Sequence, residues 1–259
     1  MRIVFSRKGF DSAAGGGPSP IVDGRPVSLP IPDSKGLSRT TYGDRGLGEM
    51  VEAATRGRIA RDALCHDDPM FLADGTCIFG QCGGAQTHLD RQGVERGDVF
   101  LFFGWFRAAD GEDHHRIFGY LRIGDIIRLD GAREEVLATY RTHRHPHAFG
   151  FHHNNRSDTL YVGEGRAATR ASPSLRLTAP GHTRTVWAIP TWLRETGLSY
   201  HGDAKRWPAP DRLISAAQGQ EFVADIGDRK DAREWLDGVI AAIEAKATEN
   251  ARSILNSVC

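Results

Sequence analysis

The sequence lacks several features that are typical of particular classes of protein. Its 259 residues include four cysteines with no CxxC spacing, which argues against a disulfide framework and against structural zinc. Lys plus Arg and Asp plus Glu both number 33, so no overall positive charge favours non-specific coating of nucleic acid. The longest apolar run, residues 99–106, is far shorter than the roughly 20 residues of a membrane-spanning helix. The first apolar run, residues 3–5, is too short for a signal peptide. We therefore expect a cytoplasmic protein without a membrane partner.

The segment richest in chemistry follows the first predicted strand. The run Ile3–Phe5 predicts that strand, and Ser6–Pro20 then brings two adjacent cations, an acid, several hydroxyls and several glycines. Arg7 and Lys8 supply positive charge, and glycines let backbone N–H groups approach an anion closely. Because loops mounted on strand ends often carry function, we interpret Ser6–Pro20 as a phosphate-binding loop. The alternative is a surface loop with solvated cations.

Histidines are concentrated in a second region. Five of the eleven histidines lie between His143 and His153. In an extended segment, residues two apart face the same side, so His145 and His147 can act together in proton transfer. No helical HExxH arrangement and no carboxylate at ligand spacing accompanies them. We therefore assign no metal here, although a metal site and a histidine-rich surface loop both stay open as alternatives.

Two further polar groups stand beside predicted structured elements. Gln86 and His88 follow small residues and offer a hydrogen-bonding pair for a base edge or a ribose, or else belong to a helix-capping turn. Glu221 follows the turn at Gly219 and enters an apolar strand. Partial desolvation there suits a general base, and a solvated carboxylate at a strand edge is the alternative.

Other histidines and the tryptophans receive no primary role. His114 and His115 follow an acidic stretch between two predicted strands, and we expect them in a solvated hairpin loop. Four tryptophans are able to stack on a base, but core packing is the commoner use of tryptophan in strands: Trp105, Trp187, Trp192 and Trp207.

The hydrophobic pattern predicts an α+β fold. We expect a mixed, largely antiparallel sheet with long functional loops and a C-terminal amphipathic helix. The continuously apolar run 99–106 predicts a strand buried on both faces. Apolar residues three and four apart predict a helix from about Lys230 to Ser257, with Asp228 as its N-cap. No GxGxxG motif follows a predicted strand.

A series of motifs resembles one known family. The match begins with Ser6–Ser12 and its Gly-Gly-Pro-Ser-Pro-Ile continuation, and it extends through further segments to the far end of the chain: residues 28–32, 86–89, 97–104, 145–147 and 219–223. These segments are similar to the nucleotide-modification-associated domain of the third type. Ala217-Gln218 stand where the family typically has Gly-Arg, which weakens a cationic role there. The resemblance covers almost the whole chain and therefore implies a single domain of residues 1–259. It also implies a phage or bacterial setting and a nucleotide or nucleic-acid partner, but it carries no settled reaction.

The leading hypothesis is an enzyme that acts on a nucleotide or a nucleic-acid base. Asp11 or Glu221 is the predicted base, and His145 or His147 transfers protons. The predicted substrate contacts combine the opening loop with the later polar groups: Ser6, Arg7, Lys8, Gly9, Ser12, Ser19, Gln86, His88 and Gln220. Three alternatives stay open, namely a non-catalytic reader of modified nucleotides, a metal-dependent nuclease, and an ADP-ribosyl transfer from NAD that depends on Glu221. No cofactor and no protein partner is identified.

Overall fold

The computed structural model describes residues 1–108, 110–150, 157–217 and 219–245. Its strands, in chain order, are β1 (Arg2–Arg7), β2 (Ser19–Val22), β3 (Arg25–Pro26), β4 (Met70–Phe71), β5 (Thr76–Gln81), β6 (Val99–Arg107), β7 (Asp113–Arg128), β8 (Thr159–Ala167), β9 (Val186–Ala188), β10 (Arg212–Ile214) and β11 (Glu221–Asp225). Its α-helices are α1 (Gly48–Thr55), α2 (Gly83–Arg91), α3 (Glu134–Thr142), α4 (Thr191–Thr196) and α5 (Lys230–Glu244). Short 3₁₀ helices cover Pro146–Phe149, Pro173–Leu175 and Ala204–Arg206.

The strands build one large curled sheet and one small one. Within the described ranges the large sheet has nine strands, in the order β11-β1-β6-β7-β8-β5-β4, and β2 and β3 extend it beside β6. β1 and β2 run parallel to β6, and the other pairs are antiparallel. β9 and β10 form the small sheet. The predicted α+β class with a mixed, largely antiparallel sheet is therefore confirmed.

Strand β6 is apolar throughout because both of its faces are buried. Phe100 and Phe102 point into the core inside the curl, whereas Leu101 and Phe103 point into the core on the outer side. Alternate residues of a strand face opposite sides of the sheet. A strand with two buried faces therefore needs apolar residues at every position, as the sequence predicts.

The curl of the sheet brings distant strands together at the inner core. Phe79 of β5 contacts Phe100 and Phe102 with ring centroids 5.0 and 5.2 Å apart. Val4 of β1 and Val223 of β11 belong to the same buried cluster. The end of β5 consequently lies next to the end of β1 and the start of β11, although β6, β7 and β8 separate them in the sheet order.

Helix α5 covers the outer face of the sheet. Leu236, Val239 and Ile243 pack into the outer core, as expected from an amphipathic helix near the C-terminus. The helix begins at Lys230 with Arg229 as its N-cap, so the prediction of Asp228 was wrong by one residue. The predicted continuation beyond 245 lies outside the described residues. Among the described helices, none combines the length and apolar character that crossing a bilayer requires.

The prediction of a hairpin loop at His114 and His115 was wrong. Both residues are buried in β7, which begins at Asp113. Trp187 Nε1 donates to His115 Nδ1 at 3.0 Å, and the backbone N–H of His115 donates to Thr178 Oγ1 at 2.8 Å. The local acidic sequence had suggested that these groups of His115 are hydrated. Instead they are hydrogen-bonded to residues more than sixty positions away.

Candidate functional site

A cavity of about 470 Å³ opens where the ends of β1 and β5, the start of β11 and the start of α2 meet. This volume is within the usual range for small-molecule sites. Its lining joins predicted residues from three remote segments: Arg7, Lys8, Asp11, His147, Gln220 and Glu221. Gly9 and His88 also line it. The structure thus brings the opening loop, the histidine segment and the start of β11 to one place.

The centre of this cavity wall is a buried charge pair. Glu221 is 1 % exposed, and its Oε1 accepts hydrogen bonds from Lys8 Nζ at 2.8 Å and from Gln81 Nε2 at 2.6 Å. The Lys8 ammonium also lies 4.5 Å from the centre of the Phe79 ring, a cation–π contact. Among the described residues, Glu221 Oε2 has no hydrogen-bond partner. A buried carboxylate oxygen in that state is a costly acceptor, because no described hydrogen bond offsets its desolvation.

The pairing of β1 with β11 explains why these residues meet. Ser6 lies opposite Glu221 in the antiparallel register, so their side chains share one face of the sheet. Lys8 follows two residues later, and its backbone N–H still donates to Phe103 O at 2.8 Å. This bond continues the β1 direction past the strand end. Lys8 therefore reaches the same face as Glu221.

Arg7 holds a neighbouring loop rather than pointing wholly into the cavity. Its Nη1 and Nη2 donate to the carbonyl oxygens of Ala217 and Ala216 at 2.9 and 2.6 Å. Burial lowers the pKa of Arg7, and nearby Asp11 opposes that shift. Two of the five guanidinium donors are thus used within the protein. The phosphate-binding role of Arg7 stays a prediction, and the structure adds an anchoring contact to it.

The turn after Lys8 depends on Gly9. Its φ is +76°, and a Cβ atom there would lie 2.5 Å from Ser28 Oγ. Asp11 Oδ1 then accepts from the backbone N–H groups of Ala13 and Ala14 at 2.7 and 2.6 Å. These contacts fix the loop and engage one oxygen of the Asp11 carboxylate, whose role as a base stays a prediction.

Four predicted contact residues lie away from the cavity lining. Ser6 is buried in the sheet, and Ser12 is exposed on the far part of the loop. Ser19 Oγ accepts from the Leu29 N–H at 3.0 Å. Gln86 is fully buried in α2, where its amide donates to Asp90 Oδ1 and to Tyr161 Oη at 2.8 and 2.9 Å. Of the two interpretations left open for Gln86, the helix-capping turn does not apply, because Gln86 lies within the helix of residues 83–91, whose N-cap is Cys82.

A cluster of histidines surrounds Asp68 at the cavity floor. His147 and its neighbours form a 3₁₀ helix rather than the extended segment that we expected. His147 Nε2 and His66 Nε2 lie 3.9 and 3.6 Å from Asp68 Oδ2, and His145 Nε2 lies 3.5 Å from Asp68 Oδ1. His145 is fully buried behind the carboxylate. His152 and His153 lie outside the described residues.

The surroundings of Asp68 favour its ionised form. Burial by itself raises the pKa of this carboxyl, but the contacts from His145 and His66 and the nearby imidazoles outweigh burial and hold it below its ordinary value. The Gly80 N–H also donates to both carboxylate oxygens, at 3.1 and 3.2 Å. Asp68 is therefore an ordered anion beside the cavity.

Sequence reasoning missed several cavity residues, including Gln81, His66, Asp68 and Tyr200. Tyr200 is 50 % exposed, and its ring lies 4.4 Å from that of His88, centroid to centroid. Burial lowers the pKa of His88, which favours a neutral ring. The dense polar run from His66 to Asp68 was a signal available in the sequence. Nothing in the sequence around Tyr200 indicated that its ring would line the cavity. Trp187 and Trp192, which the sequence offered for stacking on a base, are instead buried in the outer core.

Comparison with known proteins adds one finding. The family model described as nucleotide modification associated domain 3 matches residues 2–225. No curated protein and no solved structure matches the chain. The matched range contains both β1 and β11, and therefore the whole of the Lys8–Glu221 pair.

Proposed function

The chain belongs to the nucleotide modification associated domain 3 family, and we propose that it is an enzyme that modifies a nucleotide or a nucleic-acid base in the cavity beside Glu221. One observation carries the proposal. Glu221 is buried, fixed by Lys8 and Gln81, and has one oxygen without a partner among the described residues. Membership in the family supports a nucleotide or nucleic acid as the substrate, and the buried carboxylate supports the assignment of Glu221 as the group that acts on it.

Glu221 has the geometry of a general base. In this proposal its Oε2 accepts a hydrogen bond from a hydroxyl group of the bound nucleotide. The O–H bond breaks, its proton moves to Oε2, and its electron pair stays on the substrate oxygen, which thereby becomes a nucleophile. Lys8 and Gln81 bind the other carboxylate oxygen, so they keep the carboxylate in place during the transfer.

The remaining lining offers places for the other parts of a nucleotide. Tyr200 and His88 form an aromatic platform at the rim, and bases stack well on such side chains. Lys35 is exposed and Arg7 is partly buried, and both line the cavity. In this proposal they supply positive charge for the phosphate group of the bound nucleotide. The base and the phosphate would then flank the hydroxyl group that faces Glu221.

A product assay with a matched pair of variants tests this function. The purified protein is incubated with nucleoside mono- and triphosphates or DNA oligonucleotides, with and without NAD, and products are identified by liquid chromatography and mass spectrometry. Glu221→Gln keeps the side-chain shape but removes the base. Asp225→Asn changes a carboxylate on the same strand that is 61 % exposed.

We expect the parent protein and Asp225→Asn to form a product, and Glu221→Gln to form none while still binding the nucleotide. Full activity of a folded Glu221→Gln protein would refute the assignment of the base. If the parent protein binds the nucleotide stoichiometrically but forms no product, the protein is a non-catalytic reader of nucleotides and the enzyme assignment is wrong. Breakage of DNA strands that chelator abolishes would instead support a metal-dependent nuclease.

A further inference from the structure

We infer that His66, Asp68 and His147 form a binding site for one divalent transition-metal ion at the cavity floor. The inference rests on the geometry of this cluster and does not require the proposed function. One ligand atom from each of the three residues lies within 4.8 Å of the other two. All three residues line the cavity.

The distances between these atoms are close to those of a metal centre. Zinc binds imidazole nitrogen and carboxylate oxygen at about 2.0–2.2 Å. At tetrahedral or right angles, two such ligand atoms are therefore separated by about 2.8–3.6 Å. His66 Nε2 and His147 Nε2 lie 3.6 and 3.9 Å from Asp68 Oδ2. The His66 separation thus reaches the upper end of this range, and the His147 separation exceeds it by a few tenths of an ångström.

A second carboxylate orients His147 for this role. His147 Nδ1 lies 2.6 Å from Asp158 Oδ1, and Asp158 is 1 % exposed. The Nδ1–H group donates to that carboxylate, so the lone pair of Nε2 points toward Asp68 and His66. Metal-binding histidines commonly have such a carboxylate behind them, because it fixes the tautomer and raises the basicity of the ligand.

Asp68 is oriented in a comparable way. The Gly80 N–H binds its carboxylate at 3.1 and 3.2 Å, and His145 approaches Oδ1. Oδ2 faces His66 and His147. The Gly80 N–H therefore holds both oxygens of the carboxylate, and Oδ2 is the oxygen that faces the two inferred histidine ligands.

A competing set of ligands fits less well. One ligand atom each from Cys82, His147 and Asp158 also lies within 4.8 Å of the others. However, His147 Nδ1 and Asp158 Oδ1 are 2.6 Å apart, a hydrogen-bond distance that leaves too little room for both atoms to bind one ion. Two imidazoles and one carboxylate are a donor set that suits Zn²⁺, Fe²⁺, Co²⁺ and Mn²⁺. All three residues line the cavity, from which water or substrate would complete the coordination.

Direct metal binding tests the inference without any substrate. The full chain is treated with chelator, dialysed, and titrated with Zn²⁺ and Co²⁺ by calorimetry and visible absorption, and bound metal is counted by mass spectrometry. The variants are His66→Ala, His147→Gln and Asp158→Asn, with Cys82→Ser and the exposed His182→Gln as controls. Circular dichroism and thermal melting check that each variant is folded. Because His66 is only partly buried, we expect His66→Ala to fold even if another variant does not, and this variant then still tests the inference.

We expect one ion per parent chain and a loss of at least tenfold in affinity in His66→Ala and His147→Gln. Asp158→Asn should lose about 10- to 100-fold as a residue that supports a ligand, and both controls should bind as the parent does. Absence of stoichiometric metal in the parent, or unchanged affinity in folded His66→Ala, overturns the inference. If Cys82→Ser loses metal affinity and His66→Ala does not, the ion binds to Cys82, His147 and Asp158, and the inference is overturned. A chain that binds no metal yet forms a Glu221-dependent product would refute only this inference and leave the proposed function standing.

Discussion

Lys8 and Glu221 are 213 positions apart in the chain, yet Lys8 Nζ lies 2.8 Å from Glu221 Oε1. Their side chains are 11 % and 1 % exposed. The desolvation of two charges offsets most of their attraction, so such a pair adds little net stability compared with an apolar pair. Removal of one partner is different, because it leaves the other charge buried and uncompensated.

This asymmetry predicts a strong coupling between the two positions. Lys8→Met should lower the free energy of unfolding by about 3–5 kcal/mol, because Glu221 is left buried with Gln81 as its remaining partner. Adding Glu221→Gln should recover part of that loss, since the buried negative charge disappears. Urea denaturation of the parent, both single variants and the double variant measures the coupling.

An exposed ion pair provides the control for this cycle. Arg96 and Asp125 form a salt bridge with side chains 69 % and 50 % exposed, and such pairs contribute up to about 1 kcal/mol. Arg96→Met should therefore change stability by no more than that. A double variant at Lys8 and Glu221 that is as unstable as the sum of its single variants would contradict the coupling.

The fold was predictable where the hydrophobic pattern is strong. The apolar run of β6 and the periodicity of α5 reflect burial that the sequence records directly. His115 shows the limit, because the residues that satisfy it, Thr178 and Trp187, come from another part of the chain. Local polarity could not reveal such partners.

The candidate site was predictable in part for the same reason. Residues such as Lys8, His147 and Glu221 stand out by their chemistry, and the cavity unites them. Asp68 was missed because its relation to His147 arises only when the 3₁₀ helix packs against β5. Tyr200 was missed because only the folded loop shows that it lies beside His88.

Tyr200 should strengthen nucleotide binding by stacking. Tyr200→Ala should weaken the binding of a nucleoside monophosphate by roughly 5- to 150-fold, which corresponds to about 1–3 kcal/mol for one stacked base. Tyr200→Phe keeps the ring and should bind as the parent does. Isothermal titration of the three proteins checks this, and equal affinity for Tyr200→Ala would show that the base lies elsewhere.

Gly80 should be needed for the position of His147. A Cβ atom at residue 80 would overlap the His147 imidazole ring, whereas one at Gly84 would meet no atom within 4 Å. Gly80→Ala should therefore shift His147, lower the melting temperature and disturb the cluster around Asp68. Gly84→Ala is the matched control and should be neutral or stabilise helix α2 by up to about 1 kcal/mol. A Gly80→Ala protein with the parent's melting temperature and unchanged NMR signals of His147 would contradict this close packing.

Acid should destabilise the protein through two buried histidines. Burial, with the positive charges of Arg7 and Arg184, lowers the pKa of His115 from 6.5 to about 3. Burial lowers the pKa of His201 from 6.5 to about 4. Each ring accepts a hydrogen bond that protonation would break, from Trp187 Nε1 to His115 Nδ1 and from the Ala216 N–H to His201 Nε2.

The direction of the effect follows from which state binds the proton first. As pH falls below 6.5, the unfolded chain protonates these histidines while the folded protein keeps them neutral. Their contribution to stability is complete above that pH and is lost as pH falls toward about 3–4, at no more than about 1.4 kcal/mol per pH unit for each ring.

Urea denaturation at pH 7.5, 6 and 5 should show this loss of stability. His115→Gln retains an acceptor for Trp187 but does not titrate, so between pH 7.5 and 5 it should lose about 2 kcal/mol less stability than the parent. The exposed His182→Gln should follow the parent, and parallel curves for all three proteins would show that His115 protonates equally in both states.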